Sequence, residues 1–240
     1  MMKNIRIVLI NTSHPGNIGA TARAMKTMGL NELYLVQPLN FPHPKAHEMA
    51  SNAGDVVDQA IVVDSLEAAI GDARLVVGTS TRSRTIPWPM LTPREFAEKA
   101  RVETLHSKVA ILFGREQSGL TNEELHRCHF HIQIPSNPEY SSLNLAAAVQ
   151  VIAYEICVAS QNEVVTPQSV DWDYQWANAE QMEGFYEHLQ RVLVALDFLK
   201  PEAPRQLMTR LRRLFHRARP DVMELNILRG ILGAVEKNKK

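Results

Sequence analysis

Side chains able to do chemistry gather in four short runs of this 240-residue chain, each following an apolar segment. The first reads Asn11-Thr12-Ser13-His14-Pro15-Gly16-Asn17-Ile18-Gly19 and continues to Arg23. A glycine-containing turn that opens a helix presents backbone N–H groups suited to an anion. The spacing Gly16-x-x-Gly19 is not that of a dinucleotide fingerprint, and Val36-Gln37 stands where a ribose-binding acid belongs. The sequence also lacks G-x-x-x-x-G-K-[ST], which removes P-loop nucleotide chemistry.

The other runs are residues 78–85, 114–119 and 135–142, which mix turn formers with hydroxyls and amides. Each alone reads first as a plain turn, but at the carboxyl ends of parallel strands they would sit where such sheets place their ligands. The run 114–119 lacks the glycine at 116 that a G-x-S-x-G nucleophile elbow needs, so a serine hydrolase is not supported. His126, Cys128, His129 and His131 lie in a single segment, whereas zinc sites usually draw ligands from at least two. Alternation with Phe130, Ile132 and Ile134 predicts a strand start with its polar side chains facing solvent, and no metal is expected.

The elements that must position these runs follow from hydrophobic patterning. Apolar segments at 5–10, 33–36, 61–63, 75–77, 109–113 and 132–134 alternate with helical patterns at 18–28, 45–53, 65–70, 93–100 and 122–127. Near-continuous apolar strands separated by helices predict an α/β fold, a parallel sheet flanked by helices on both faces. Residues 143–159 are apolar apart from Asn144, Gln150 and Glu155. Those groups would be costly in lipid, so a buried helix is expected there rather than a membrane span. The division expected is an α/β domain over 1–160, a polar linker over 161–178, and a small all-helical module over 179–240.

Lysine plus arginine total 26 and aspartate plus glutamate 26, so affinity for a charged partner depends on where charge sits. Residues 171–187 hold five acids and no base, whereas 205–219 hold six arginines and no acid. Guanidinium groups suit bidentate phosphate contacts, although a charge run of this kind also reads as a solvated helix face. Two scattered cysteines, Cys128 and Cys157, and a short apolar start interrupted by Arg6 predict reduced thiols in a cytoplasmic protein without a secretory signal.

Taken together, Asn17-x-Gly19-x-x-x-Arg23, Phe113-Gly114-x-Glu116-x-x-Gly119-Leu120 and Ser141-Ser142-Leu143-Asn144-Leu145-Ala146 resemble, in order, the three motifs of the SPOUT superfamily of RNA ribose 2′-O-methyltransferases. The flanking runs Thr79-Ser80-x-Arg82-Ser83-Arg84-Thr85, Pro87-Trp88-Pro89-Met90 and Asn137-Pro138-Glu139-Tyr140 are similar to its bacterial branch acting on the cytidine or uridine at tRNA position 32.

The resemblance implies a trefoil knot in the C-terminal part of the α/β domain. S-adenosylmethionine would be held there by Thr79, Ser80, Thr81, Gly114, Ile134, Ser141, Ser142 and Leu143. It further implies a homodimer whose substrate site is built from both subunits, with the 143–159 helix in the interface. Arg23 and Ser142 fall on the catalytic positions. A guanidinium is too basic for an ordinary general base, so Arg23 is read as binding a phosphate and stabilising the developing alkoxide, with Ser142 positioning the 2′-OH. Asn17, Glu116 and Asn144 would brace the loops. Arg82, Arg84, Tyr140, Arg205, Arg210, Arg212, Arg213 and Arg217 are the RNA-contact candidates, and Trp88 is either a base-stacking ring or a loop anchor. The alternatives are a SPOUT enzyme for another tRNA or rRNA ribose, a non-catalytic RNA-binding protein of the same fold, and a small-molecule enzyme using an adenine nucleotide. Arg23 with its donor loops opposes the second, and the arginine-rich tail opposes the third.

Overall fold

The computed structural model describes residues 2–80, 86–161 and 173–238. Thr81, Arg82 and Arg84, among the residues singled out above, lie outside them. The strands are β1 (Ile5–Ile10), β2 (Glu32–Val36), β3 (Ile61–Val63), β4 (Leu75–Thr79), β5 (Met90–Leu91), β6 (Val109–Phe113) and β7 (Phe130–Ile132). They form one parallel sheet in the order β3-β2-β1-β6-β4-β7-β5. The helices are α1 (Pro15–Thr27), α2 (Pro44–Ala50), α3 (Gly54–Asp58), α4 (Leu66–Ile70), α5 (Pro93–Glu103), α6 (Asn122–His126), α7 (Leu145–Gln161), α8 (Ala179–Ala195), α9 (Leu207–Ala218) and α10 (Val222–Asn238).

Strand β1 explains why its run is apolar at nearly every position. Ile5, Ile7 and Leu9 point into one core with α1, α5 and α7, while Val8 and Ile10 point into the other with α4 and α6. Each fully buried aliphatic side chain contributes roughly 1.5–3 kcal/mol, so neither face tolerates a polar residue without a partner. Arg6 is the exception and has its partners: it pairs with Glu32 and Asp72, each at 2.7 Å, and lies 4.0 Å over the Tyr34 ring. Burial alone would raise the Asp72 carboxyl, but the guanidinium and Lys108 outweigh it and hold the group at about 2.

The two faces are covered unequally. Helices α1, α2, α3, α5 and α7 pack on the first, whereas among the described residues of the sheet domain the second has α4 and α6, five residues each. The C-terminal module makes up the difference. It has its own core of Ala177, Met182, Phe185, Tyr186 and Leu225, yet it is seated on the sheet domain. The N–H groups of Ala179 and Glu180 donate to the carbonyls of Ala73 and Gly71 at 3.0 and 3.1 Å, and Arg219 pairs with Glu103 at 2.9 Å. Within the C-terminal end of the expected linker, Trp176 bridges to Asp221 and accepts from Arg74 at 2.9 Å.

Strand β7 corrects one expectation. It begins at Phe130, and His129 and His131 face inward, 5% and 3% exposed, rather than toward solvent. The module covers this side, and the imidazoles find backbone partners: Val76 N–H donates to His129 Nδ1 at 3.2 Å, and His131 Nε2 meets the Leu125 carbonyl at 3.1 Å. Among the described residues, no group of three or more potential ligands is placed to hold a metal, and no helix is long and apolar enough to cross a membrane.

Candidate active site

The carboxyl ends of β4, β6 and β7 open on a cleft of about 280 Å³, lined in part by Thr79, Ser80, Gly114, Ile134, Ser141, Ser142 and Leu143. Thus the described residues expected to hold a donor meet in one place, although they come from three separate loops. Gly114 is required by the loop itself. A Cβ there would lie 2.1 Å from the carbonyl carbon of Gly119, because the 114–119 run closes on itself through paired Arg115 and Gly119 backbone hydrogen bonds of 3.2 and 2.9 Å. Gly19 answers to packing as well, since a Cβ would meet the Ala46 carbonyl oxygen at 1.9 Å, where α1 crosses α2.

The free anion site expected at the start of α1 is already filled from within the chain. His14 Nδ1 caps the helix by accepting from Gly16 N–H at 3.1 Å. The Glu116 carboxylate accepts from Ser13 N–H at 3.2 Å, His14 N–H at 3.3 Å and the Asn17 amide at 2.9 Å. A carboxylate at a helix N-terminus gains from the dipole and from orphan N–H groups. Burial works to raise the Glu116 carboxyl, but these hydrogen bonds outweigh it and hold it below the usual carboxylate range.

Asn17 then links the first motif to the third. The Asn144 amide donates to Asn17 Oδ1 at 3.1 Å, while Asn144 Oδ1 accepts from Ala146 N–H at 2.9 Å and so starts α7. Glu116, Asn17 and Asn144 form one chain of hydrogen bonds through three loops, which fixes the cleft walls relative to one another. A second tie runs from Arg115 to Glu124 at 3.0 Å and to the Asn11 side chain. The pattern of acid, amide and amide was visible in the sequence; that the acid fills the helix terminus was not.

Arg23 is exposed on α1 and lies apart from the residues lining the cleft of this single chain. Of the tail arginines, Arg205, Arg210 and Arg217 are exposed. Arg212 is engaged within the protein, paired with Glu183 at 2.6 Å and 4.3 Å over the Tyr186 ring, and Arg213 donates to the Pro87 carbonyl at 2.9 Å. Tyr140 is 79% exposed, whereas Trp88 is buried at 7% and serves as the loop anchor.

A parallel sheet with a polar cleft at three strand ends, braced by an acid and two amides, defines a methylase architecture of the SPOUT type, and residues 4–154 match the model of the SpoU rRNA Methylase family. Residues 180–240 match the C-terminal domain of the tRNA methyltransferase TrmJ. The chain belongs to the SpoU methylase family and, within it, to the TrmJ group. The tRNA (cytidine/uridine-2'-O-)-methyltransferase TrmJ of Pectobacterium atrosepticum is 53% identical, with 99% of this chain and 98% of that protein aligned. The protein of the same name from Sodalis glossinidius is 54% identical across 100% of this chain and 94% of its own. The crystal structure of TrmJ from Z. mobilis superposes with a TM-score of 0.82 at 33% identity, covering 96% of this chain and 98% of that one.

Proposed function

We propose that this chain transfers a methyl group from S-adenosylmethionine to the ribose 2′-OH of the cytidine or uridine at position 32 in the tRNA anticodon loop, as a cytoplasmic homodimer. The observation that carries the reading is the convergence of seven donor-binding candidates on one cleft, tied to the first motif through Glu116, Asn17 and Asn144. Its lining suits an adenosyl group: Ile134 and Leu143 offer apolar surface, Ser141 and Ser142 offer hydroxyls, and Gly114 keeps one wall free of a side chain. The donor supplies a methyl group on a positively charged sulfur, and the chain's part is to orient the acceptor and manage its charge.

Arg23 carries that second task. It binds a backbone phosphate beside the target ribose and stabilises negative charge developing on the 2′-oxygen. Ser142, exposed at the rim, orients the hydroxyl. Because Arg23 stands apart from the cleft of its own chain, a site completed by a second subunit accounts for its role. Helix α7 packs on α1 and presents Ala147, Tyr154 and Val158 outward, an apolar stripe fit for a symmetric interface. Arg205, Arg210, Arg217 and Tyr140 supply the RNA contacts. The test is methyl transfer from labelled S-adenosylmethionine to bulk tRNA followed by nucleoside mapping. Label on the ribose at position 32 is expected, and label confined to bases or to ribosomal RNA would overturn the assignment.

A further inference from the structure

We propose that His216 and Arg213, one turn of helix α9, are positioning residues for the donor cleft: they anchor the chain that leaves it, so the C-terminal module sets donor affinity. The inference rests on the reading of the cleft as a donor site. Strand β4 ends in Thr79 and Ser80, both in the cleft wall, and Ser80 N–H donates to the Ile132 carbonyl at 3.0 Å. Farther along, the segment at Ile86 and Pro87 is pinned by Trp88. The Trp88 indole N–H donates to the Cys128 carbonyl at 2.9 Å, and its ring stacks between His126 and His131 with centroids 5.5 Å away on each side.

Helix α9 closes this anchor from outside the sheet domain. His216, 4% exposed, places Nδ1 at 3.0 Å from the same Cys128 carbonyl, so Nδ1 must carry the proton and donate it. One backbone oxygen therefore receives both the anchor ring and the module. The His216 ring also stacks on His129 at 4.8 Å, and His129 holds the N–H of Val76, three residues before Thr79. Arg213 binds the Pro87 carbonyl, next to Trp88. A single helical turn thus touches the strand running into the cleft wall, through His129, and the segment running out of it, through Pro87 and Trp88. Holding Thr79 and Ser80 in place from behind the cleft wall pre-organises the site and lowers the cost that binding must otherwise meet. Because α9 also carries the exposed Arg210 and Arg217, whatever seats this helix is linked reciprocally to the donor.

The experiment is calorimetric titration of the full-length chain with S-adenosylmethionine in the absence of tRNA, for the wild type and for Arg213→Ala, His216→Phe, His216→Asn and Arg191→Ala. His216→Phe keeps an aromatic ring but no donor, His216→Asn returns an N–H, and Arg191→Ala removes a module cation far from the seam. Donor affinity should fall about fivefold or more in Arg213→Ala and His216→Phe, within the usual range of coupling between sites. It should recover in His216→Asn and stay unchanged in Arg191→Ala. With saturating tRNA, KM for the donor should rise while kcat holds, a split that general destabilisation would not produce. Arg213→Ala alters an exposed bond and keeps the test alive if a His216 variant does not fold. A wild type that fails to bind the donor would overturn the reading of the cleft, and the proposal with it. Wild-type binding with equal affinity in the folded variants would overturn the positioning role alone.

Discussion

Acidification between pH 6.5 and 4.5 should loosen the C-terminal module from the sheet domain. His129 and His216 stack face to face in the seam, 5% and 4% exposed. Burial pushes His216 down to about 4, with Arg212 adding to the effect, while Glu183 and the bond to Cys128 only partly oppose it. Burial, then His216, Arg219 and Lys99, holds His129 well below its ordinary value. Both groups titrate lower when docked than when exposed, so the exposed form takes up protons first. The stability they lend is complete above about 6.5 and is lost as pH falls toward the docked values. For His216 alone, a fall from 6.5 to about 4 corresponds to about 3 kcal/mol, and His129 adds in the same direction. The carboxylates Glu103, Glu116 and Glu183 are held below their usual range, so the stability they lend is complete above the ordinary carboxylate range and begins to go only at the acid edge of this window, where the exposed carboxylates take up protons. Urea unfolding at half-unit steps from pH 4.5 to 8, read by tryptophan emission, measures the slope. A flat profile, or one unchanged in His216→Phe, would show that the seam does not exclude protons.

Three other outcomes follow from the site. Arg23→Ala should leave donor titration near wild type and lower turnover at least a hundredfold, since losing one charge-stabilising donor costs about 2.7–4 kcal/mol; near-normal turnover in a methylation assay would remove Arg23 from the chemistry. Gly114→Val should weaken donor binding and lower the melting temperature together, because its side chain collides with the Gly119 backbone before it reaches the cleft; lost binding with an unchanged melt would place the conflict with the ligand instead. Replacing Arg205, Arg210 and Arg217 together with alanine should flatten the dependence of tRNA affinity on salt by about two to three counterions, as titrations across a salt series would report. Equal slopes would mean that these arginines form only a solvated helix face.

Patterning carried the sheet a long way. The runs at 5–10 and 109–113 coincide with β1 and β6, because a strand buried on both faces has little freedom of composition, and the run at 61–63 marks β3 although that edge strand leaves Ile61 and Val62 exposed. What escaped was short or non-local. Strand β5 has two residues, too few for any period to show. The inward turn of His129 and His131 could not be read locally, since His129 is covered by His216 of α9, 87 residues later along the chain, and His131 by the Trp88 ring, 43 residues earlier. The same holds for Arg212, indistinguishable in sequence from Arg210 yet fixed by Glu183 of α8. At the site, the motifs named Asn17, Glu116 and Asn144 as loop braces. Which atoms they brace, and that Glu116 takes the place of an external anion at α1, emerged only from three-dimensional placement.

The order of the strands also bears on how the protein is made. Strand β1 lies inside the sheet, but one of its two partners, the central β6, begins at Val109, so Ile5 waits for more than a hundred residues before its ladder can close. The bond from Asn144 to Asn17 spans 127 residues and completes later still. Contacts so distant in sequence make folding slow, because chain entropy is lost before they reward it. On the ribosome, where synthesis runs N-terminus first, β1 emerges as an apolar strand with β2 alone beside it, and the cleft is among the last parts to form. A chain of this topology should lean on chaperones during translation more heavily than its modest size suggests.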